Sequence, residues 1–435
     1  MIAKILALAA PSSAVAVAQV LTQFVETLVA ARLGTDALAA WSIALPFALL
    51  MQQTSAGAMG GGVSSAIARA LGAGNEVEAG ALVKHALWIA MVAGLLFAIP
   101  LSLGLPWLFG RLAHEDLAQT QRFYPLAAFG LVAVPAWLVN TLAAILRGGG
   151  QHRIVGGLMV TAWMALAALM PLFALIFDLG LAGIGFAQAL VFSIAAWLMW
   201  QKVQRGAAGF VPDLKLRLQS GLFKKILSVG LVACGLALMA NLTTFWVNSQ
   251  LSAFGTAHVA AYGIAARVEF LMVPVAFGVG AALTALVGHA VGSGQWQQAR
   301  RIAWTGGAMT LVITLPFGMW VANFPEQIAA FFSTDPQVRE QATLALSWIG
   351  WGLAPFALGM TLYFASQGAH RMRGPLAAGL CRVMIAIGLG AILQRYAMPG
   401  ASAYYCSVAF AITAYGALIA LSVNPYGWSK HALRH

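Results

Sequence analysis

Glu26 lies inside an apolar run from Ile5 to Leu33, about two helical turns from the run's second end. A carboxyl group in hydrocarbon is costly unless it faces a cavity or a partner, and such groups mark ion and proton pathways. Gln19, Thr22, Gln23 and Glu26 recur at spacings of three and four, which places them on one stripe of a helix. A stripe of this kind supplies partners to a group that changes charge, and the chemistry it suits is the loading and release of a proton. The competing reading is a neutral glutamic acid hydrogen-bonded between helices.

Other polar residues in apolar surroundings are fewer. Arg267 and Glu269 sit in the eighth apolar segment, two residues apart and so on different helical faces. Arg267 is expected to pair with Glu26 or with groups near Glu269 in its own half. Glu269 is a second coupling candidate, with a structural ion pair as its alternative. Asn241, Thr244 and Asn248 line one face of the seventh segment, suited either to hydrogen-bonding substrate or to bridging helices. Gln52, with Gln53, Thr54 and Ser55, makes a polar break in the second segment. Tyr262, Trp348, Trp351 and Tyr363 offer rings that stack on a flat or cationic compound. The chain has 14 Trp, however, and many such residues anchor membrane interfaces. Arg382 is expected to extend toward the nearer, cytoplasmic end of its helix.

The elements that must position these groups follow from composition. The chain is 61% hydrophobic and 8% charged, with a mean hydropathy of +0.84, against about 25% charged residues in soluble domains. Apolar segments long enough to cross a bilayer are expected near 7–33, 37–71, 81–109, 121–146, 154–177, 183–204, 226–252, 257–291, 299–322, 340–366, 376–398 and 402–424. The fold class is an all-α polytopic membrane protein with twelve transmembrane helices. A signal peptide is not expected at the N-terminus, because the apolar run continues past Ala18 to Leu33.

The net charge of +12 comes from basic residues scattered in short loops, which points away from nucleic acid and toward topology and anionic lipid. Seventeen Lys and Arg, from Lys4 to Arg434, fall on the side that holds both termini. Five fall on the other side: Arg32, Arg111, Arg122, Arg339 and Arg395. Both termini are therefore expected in the cytoplasm, with the chain in the cell (inner) membrane. Cys234, Cys381 and Cys406 all lie in apolar segments and read as packing residues. No His-Glu-x-x-His or G-x-S-x-G motif occurs, so neither an enzyme, a metal site nor a cofactor is expected.

The chain repeats itself at an offset of 220 residues. Gly72-Ala-Gly74-Asn75 is echoed by Gly292-Ser-Gly294-Gln295, Pro135 by Pro355, and Thr141 by Thr361. At an offset of 221, Leu33 to Trp41 parallels Phe254 to Tyr262. The glycine loops lack the Lys-Ser/Thr ending of a phosphate-binding loop and are expected to cap helices at equivalent turns. Six segments per repeat give both halves the same orientation, hence two parallel bundles with a substrate site at their interface. The expected organisation is an N-terminal six-helix lobe over 1–204, an inter-lobe loop over 205–225 and a C-terminal lobe over 226–435.

These features resemble the multidrug and toxic compound extrusion (MATE) family. The resemblance rests on Pro11 and an acidic residue ahead of Arg-Leu-Gly-Thr-Asp-Ala-Leu-Ala-Ala (32–40), and on Gly-Ala-Gly-Asn (72–75). Leu-Arg-Gly-Gly-Gly (146–150), Ala-Ala-Tyr-Gly-Ile-Ala-Ala-Arg-Val-Glu (260–269) and Gly-Ser-Gly (292–294) extend it along the chain. It implies two six-helix lobes forming a V-shaped cleft and the export of amphipathic or cationic drugs in exchange for protons or sodium ions. Glu26 falls where the family usually has an aspartate linked to cation coupling. Met170 precedes Pro171 where many members have an aspartate, and the frequent glutamate of the seventh span is missing. With no second membrane-embedded acid in the first lobe to ligate sodium, proton coupling is favoured. The alternative is a flippase for a lipid or lipid-linked saccharide, which would call for several basic residues in the cleft.

Overall fold

A computed structural model of the chain describes residues 1–112, 123–398 and 400–429. Hydrocarbon offers no partners to backbone amides, so a spanning segment must satisfy them within itself. All regular elements among the described residues are accordingly helical. Twelve are long and apolar enough to cross a membrane: α1 (Ile2–Arg32), α2 (Thr35–Gly72), α3 (Glu76–Arg111), α4 (Leu126–Gly148), α5 (His152–Ile176), α6 (Gly180–Gln204), α7 (Ser220–Ser252), α8 (Thr256–Gly292), α9 (Trp296–Asn323), α10 (Pro336–Gly368), α11 (Arg373–Tyr396) and α12 (Ser402–Ser422). Each expected segment coincides with one of them. Arg122, Lys430 and Arg434, which enter the topology count, and the first residues of the expected fourth segment lie outside the described residues.

Helices extend beyond the expected segments wherever polar turns continue the helix outside the hydrocarbon. α1 starts five residues early, and α7 starts at Ser220, ahead of Lys224 and Lys225. A short helix, Pro325–Phe332, precedes α10 and was not foreseen. α10 itself begins on a conventional signal. Asp335 caps it by accepting from the Gln337 and Val338 amides at 2.8 and 3.3 Å, with Pro336 at the first helical position.

The chain divides into two compact units, Leu8–Cys234 and Gly235–His435, the second also holding Met1–Ala7. In the first, α4 is the central helix and packs on α2, α3 and α6. In the second, its counterpart α10 packs on α8, α9 and α12. The segment 205–219 is tied to the first unit. Asp213 donates its amide to the Gly80 carbonyl at 3.2 Å, Lys84 donates to the Leu216 carbonyl at 2.9 Å, and the His85 Nε2 accepts the Gln219 amide at 2.8 Å. The chain passes between units at 234/235, within α7.

The repeat is visible in the geometry. α2 closes with Asn75 N–H on the Ala70 carbonyl and Gly74 N–H on Leu71, with Gly74 at φ 72°. α8 closes with Gln295 on Ala290 and Gly294 on Val291, with Gly294 at φ 77°. Both are left-handed helix caps, the role expected for the two glycine loops. At the ends of α4 and α10 the corresponding left-handed residues are Gly150 and His370. Close approach recurs too. A Cβ on Gly148 would sit 2.8 Å from the Ser64 carbonyl oxygen, and one on Gly368 would sit 2.6 Å from that of Thr284. Small residues at such crossings let membrane helices come close enough for dispersion to hold them.

A methyl group at Gly416 of α12 would run into the Pro355 carbonyl of α10, whereas one at Gly235 meets nothing within 4 Å. Gly416→Ala is expected to cost about 1–3 kcal/mol by overpacking, and Gly235→Ala to leave stability at or above the wild-type level. Thermal unfolding of the purified variants checks this, and equal melting temperatures would contradict it.

Candidate functional site

α1 sorts its residues by side. Val17, Leu21, Phe24 and Leu28 form an exposed apolar stripe. Gln19, Thr22, Gln23 and Glu26 turn the other way, and none of the four is exposed. Glu26 is half-buried, and both carboxylate oxygens are engaged within the first unit. The indole Nε1 of Trp41 donates to Oε1 at 3.0 Å, and the amide Nε2 of Gln188 donates to Oε2 at 3.3 Å. Tyr124, itself buried, lies within electrostatic reach. The backbone explains how Trp41 arrives there. Gly34 takes φ 105°, a conformation costly for any residue with a Cβ, and turns the chain so that α2 starts at Thr35. Gln188 comes from α6.

Thr22 is taken up by a contact between helices and is not among the partners of Glu26. It is 1% exposed, and its hydroxyl lies 2.8 Å from the carbonyls of both Ala18 and Trp163. It fastens α1 to α5, because a hydroxyl facing a neighbouring helix in a dry interior finds a backbone acceptor before it finds a ligand. Further along the same contact, the Pro11 ring packs where Gly156 has no side chain.

The expected polar break in α2 is real and has a structural form. Over Gln53–Met59 the helix widens to i→i+5 hydrogen bonding, a local irregularity that often marks functional positions. Asn140 of α4 donates to the Ser55 hydroxyl at 2.9 Å and to Gln52 Oε1 at 3.4 Å. Asn140 had gone unremarked because an isolated Asn in an apolar helix carries no local signal.

In the second unit the charges pair differently from expectation. Arg382 does not extend to the helix end: its guanidinium donates to Glu269 Oε1 at 2.6 Å, with side-chain exposures of 14% and 12%. Its Cζ also lies 5.0 Å from the Phe356 ring centre and 5.8 Å from that of Tyr415. A carboxylate and two ring faces hold the cation better than a long reach to the interface. Arg267 is exposed and forms no ion pair among the described residues. Glu26 has taken uncharged donors instead.

The α7 candidates are mixed. Asn241 donates to the Ala237 carbonyl at 2.8 Å and Thr244 to that of Ala240 at 3.2 Å, bonds that stay within the helix. The Asn248 Oδ1 is buried with no hydrogen-bond partner among the described residues. Tyr262 is 3% exposed and lies within electrostatic reach of Glu269 and Arg382, so its ring is a packing element here, not an open stacking face. No group of three or more metal-ligating side chains occurs among the described residues.

Removing one member of the Arg382–Glu269 pair strands the other in a dry interior. Arg382→Met alone is expected to cost about 3–5 kcal/mol. The double variant Arg382→Met/Glu269→Met should recover much of that loss. Melting temperatures of the three proteins decide the matter, and a double variant less stable than the single one would refute the ion-pair reading.

Comparison with known proteins is consistent along the chain. The profile of the MatE family matches residues 11–172 and again 230–392, two stretches about 220 residues apart. A relative from Shewanella oneidensis named as an FAD transporter is 25% identical, over 83% of this chain and 80% of its own length. A probable multidrug resistance protein NorM from Synechocystis is 26% identical, covering 86% and 83%. A solved MOP superfamily transporter from Pyrococcus furiosus superposes with a TM-score of 0.88 at 21% identity, covering 97% of this chain and 94% of that one.

Proposed function

The chain belongs to the MatE family of membrane transporters, and from that premise we propose that it exports amphipathic or cationic small molecules in exchange for protons, by alternating access. It is an integral membrane protein and not an enzyme. The observation that carries the coupling proposal is the seat of Glu26: a carboxyl group turned away from the exposed stripe of α1 and held by two N–H donors. Such a group binds and releases a proton without leaving a bare charge in hydrocarbon.

The same geometry favours protons over sodium. A sodium ion requires several oxygen ligands, whereas Trp41 can present this carboxyl only an N–H and its hydrogen-bond partners include no second carboxylate. Loading the proton cancels the negative charge that would attract a cationic cargo, and it replaces the charge-assisted bonds from α2 and α6 to α1 by weaker neutral ones. Two features of α1 favour its bending: Pro11 inside the helix, and Thr27, whose hydroxyl donates to the Gln23 carbonyl at 2.9 Å. Gln19, Gln23, Gln52 and Asn248 are the polar residues we assign to cargo, and Glu269, paired with Arg382, takes the structural role that was its alternative.

The FAD transporter among the relatives makes an anionic flavin nucleotide the rival cargo. Arg382 argues against it, since Glu269 already neutralises that cation. With Arg382 paired, Arg267 is left as one cation where a flippase for lipid-linked pyrophosphate calls for several, which disfavours that reading. The Lys and Arg distribution supports a cell-membrane topology with both termini in the cytoplasm.

Efflux of a cationic dye from vesicles under an imposed proton or sodium gradient is the direct test. Wild-type protein should respond to the proton gradient, and Glu26→Gln should bind dye yet lose that response. Full proton dependence in Glu26→Gln would remove the basis of the coupling proposal.

A further inference from the structure

Resting on the reading of Glu26 as the coupling carboxyl, we infer that Gln188 is a positioning residue that dictates which oxygen of Glu26 takes the proton. Its side-chain amide turns over when the proton arrives. The two oxygens of Glu26 meet unlike donors: the indole of Trp41 on Oε1 at 3.0 Å, and the amide of Gln188 on Oε2 at 3.3 Å.

An indole N–H can donate but has nothing with which to accept. A proton on Oε1 would share that oxygen with the indole N–H, and Trp41 offers it no acceptor. A glutamine amide carries a carbonyl oxygen and an NH2 on the same carbon, so half a turn about its last bond exchanges donor for acceptor. The proton therefore goes to Oε2. Gln188 turns, its Oε1 accepts the new O–H, and Trp41 goes on donating to Glu26 Oε1.

Every participant stays satisfied through the exchange. In the charged state two N–H groups serve two carboxylate oxygens. In the neutral state one N–H serves the remaining carbonyl oxygen and the acid O–H finds an acceptor. The half-buried Gln188 is free to turn, since its amide makes no other hydrogen bond among the described residues. Among the described residues, a titratable neighbour of this group is Tyr124, a hydroxyl that carries no charge to compete for the proton. The ionisation state of α1 is thus written into the orientation of a side chain on α6. An acceptor-less residue at position 188 would leave the loaded proton without a partner.

Infrared difference spectroscopy between alkaline and acidic pH, on the full-length protein in lipid, tests this. The carboxylic C=O stretch of Glu26 is identified by its absence in Glu26→Gln, and the amide bands of Gln188 by their absence in Gln188→Leu. Wild type should gain the Glu26 band and change the Gln188 amide bands together. In Gln188→Leu the Glu26 band should shift to higher frequency, as for a carboxyl that has lost a hydrogen bond. In Trp41→Phe the Gln188 change should persist. A Glu26 band with no accompanying glutamine change, or one unmoved by Gln188→Leu, would overturn the inference while leaving Glu26 as the coupling group. Absence of any Glu26 band on acidification would overturn the coupling reading itself and this inference with it. If Gln188→Leu does not fold, side-chain-labelled glutamine in the unsubstituted protein carries the same comparison. There the labelled amide either moves with the Glu26 band, as expected, or stays fixed and refutes the turnover.

Discussion

A carboxylate within a bilayer must be given donors by the protein, because lipid tails supply none and the charge cannot be left bare. In the first unit that requirement is met by an indole on α2 and an amide on α6, which converge on Glu26 of α1. Three helices, two consecutive and the third far along the chain, are thereby tied to the ionisation state of one side chain. The exposed stripe of Val17, Leu21, Phe24 and Leu28 fixes how α1 is turned, and the polar side follows from it. Remove the two donors, and α1 would have reason either to rotate or to keep its acid permanently neutral.

The second unit meets the same requirement by a different route. Glu269 has a full counter-charge in Arg382, and aromatic rings cover the cation. An ion pair of that kind is closed on itself: neither partner can change charge without stranding the other. Glu26, held by neutral donors, has no such lock. The two units share a plan and a repeat, yet their buried acids are built for different tasks. One is suited to changing its protonation, and the other to holding α8 and α11 together.

Packing supports both arrangements by bringing backbones close. Membrane helices gain nothing from burying apolar surface against each other relative to lipid, so they depend on fit. The fit is made by glycines at equivalent places: Gly148 beneath Ser64 in the first unit, Gly368 beneath Thr284 in the second. The central helices α4 and α10 can therefore act as fixed posts in their own units. Pro11 against Gly156 is a different sort of contact, a kink-prone position seated on a smooth surface.

Much of this was legible in the chain alone. Twelve helices, their order, the offset of about 220 residues and the capping role of Gly72–Asn75 and Gly292–Gln295 follow from hydropathy, spacing and turn chemistry, which are local properties. So did the turn of Glu26 away from the apolar stripe, since helical periodicity sets it. Partners were not legible. Trp41 lies 15 residues from Glu26 and Gln188 lies 162 away, and no pattern along the chain connects them. For the same reason Thr22 was read as a partner for Glu26, Arg382 as a residue bound for the interface, and Asn140 was overlooked. Sequence determines which groups cannot be left alone in hydrocarbon. Which donor reaches each of them is decided only when the helices pack, because hydrogen bonds depend on distances of about 3 Å that periodicity does not encode.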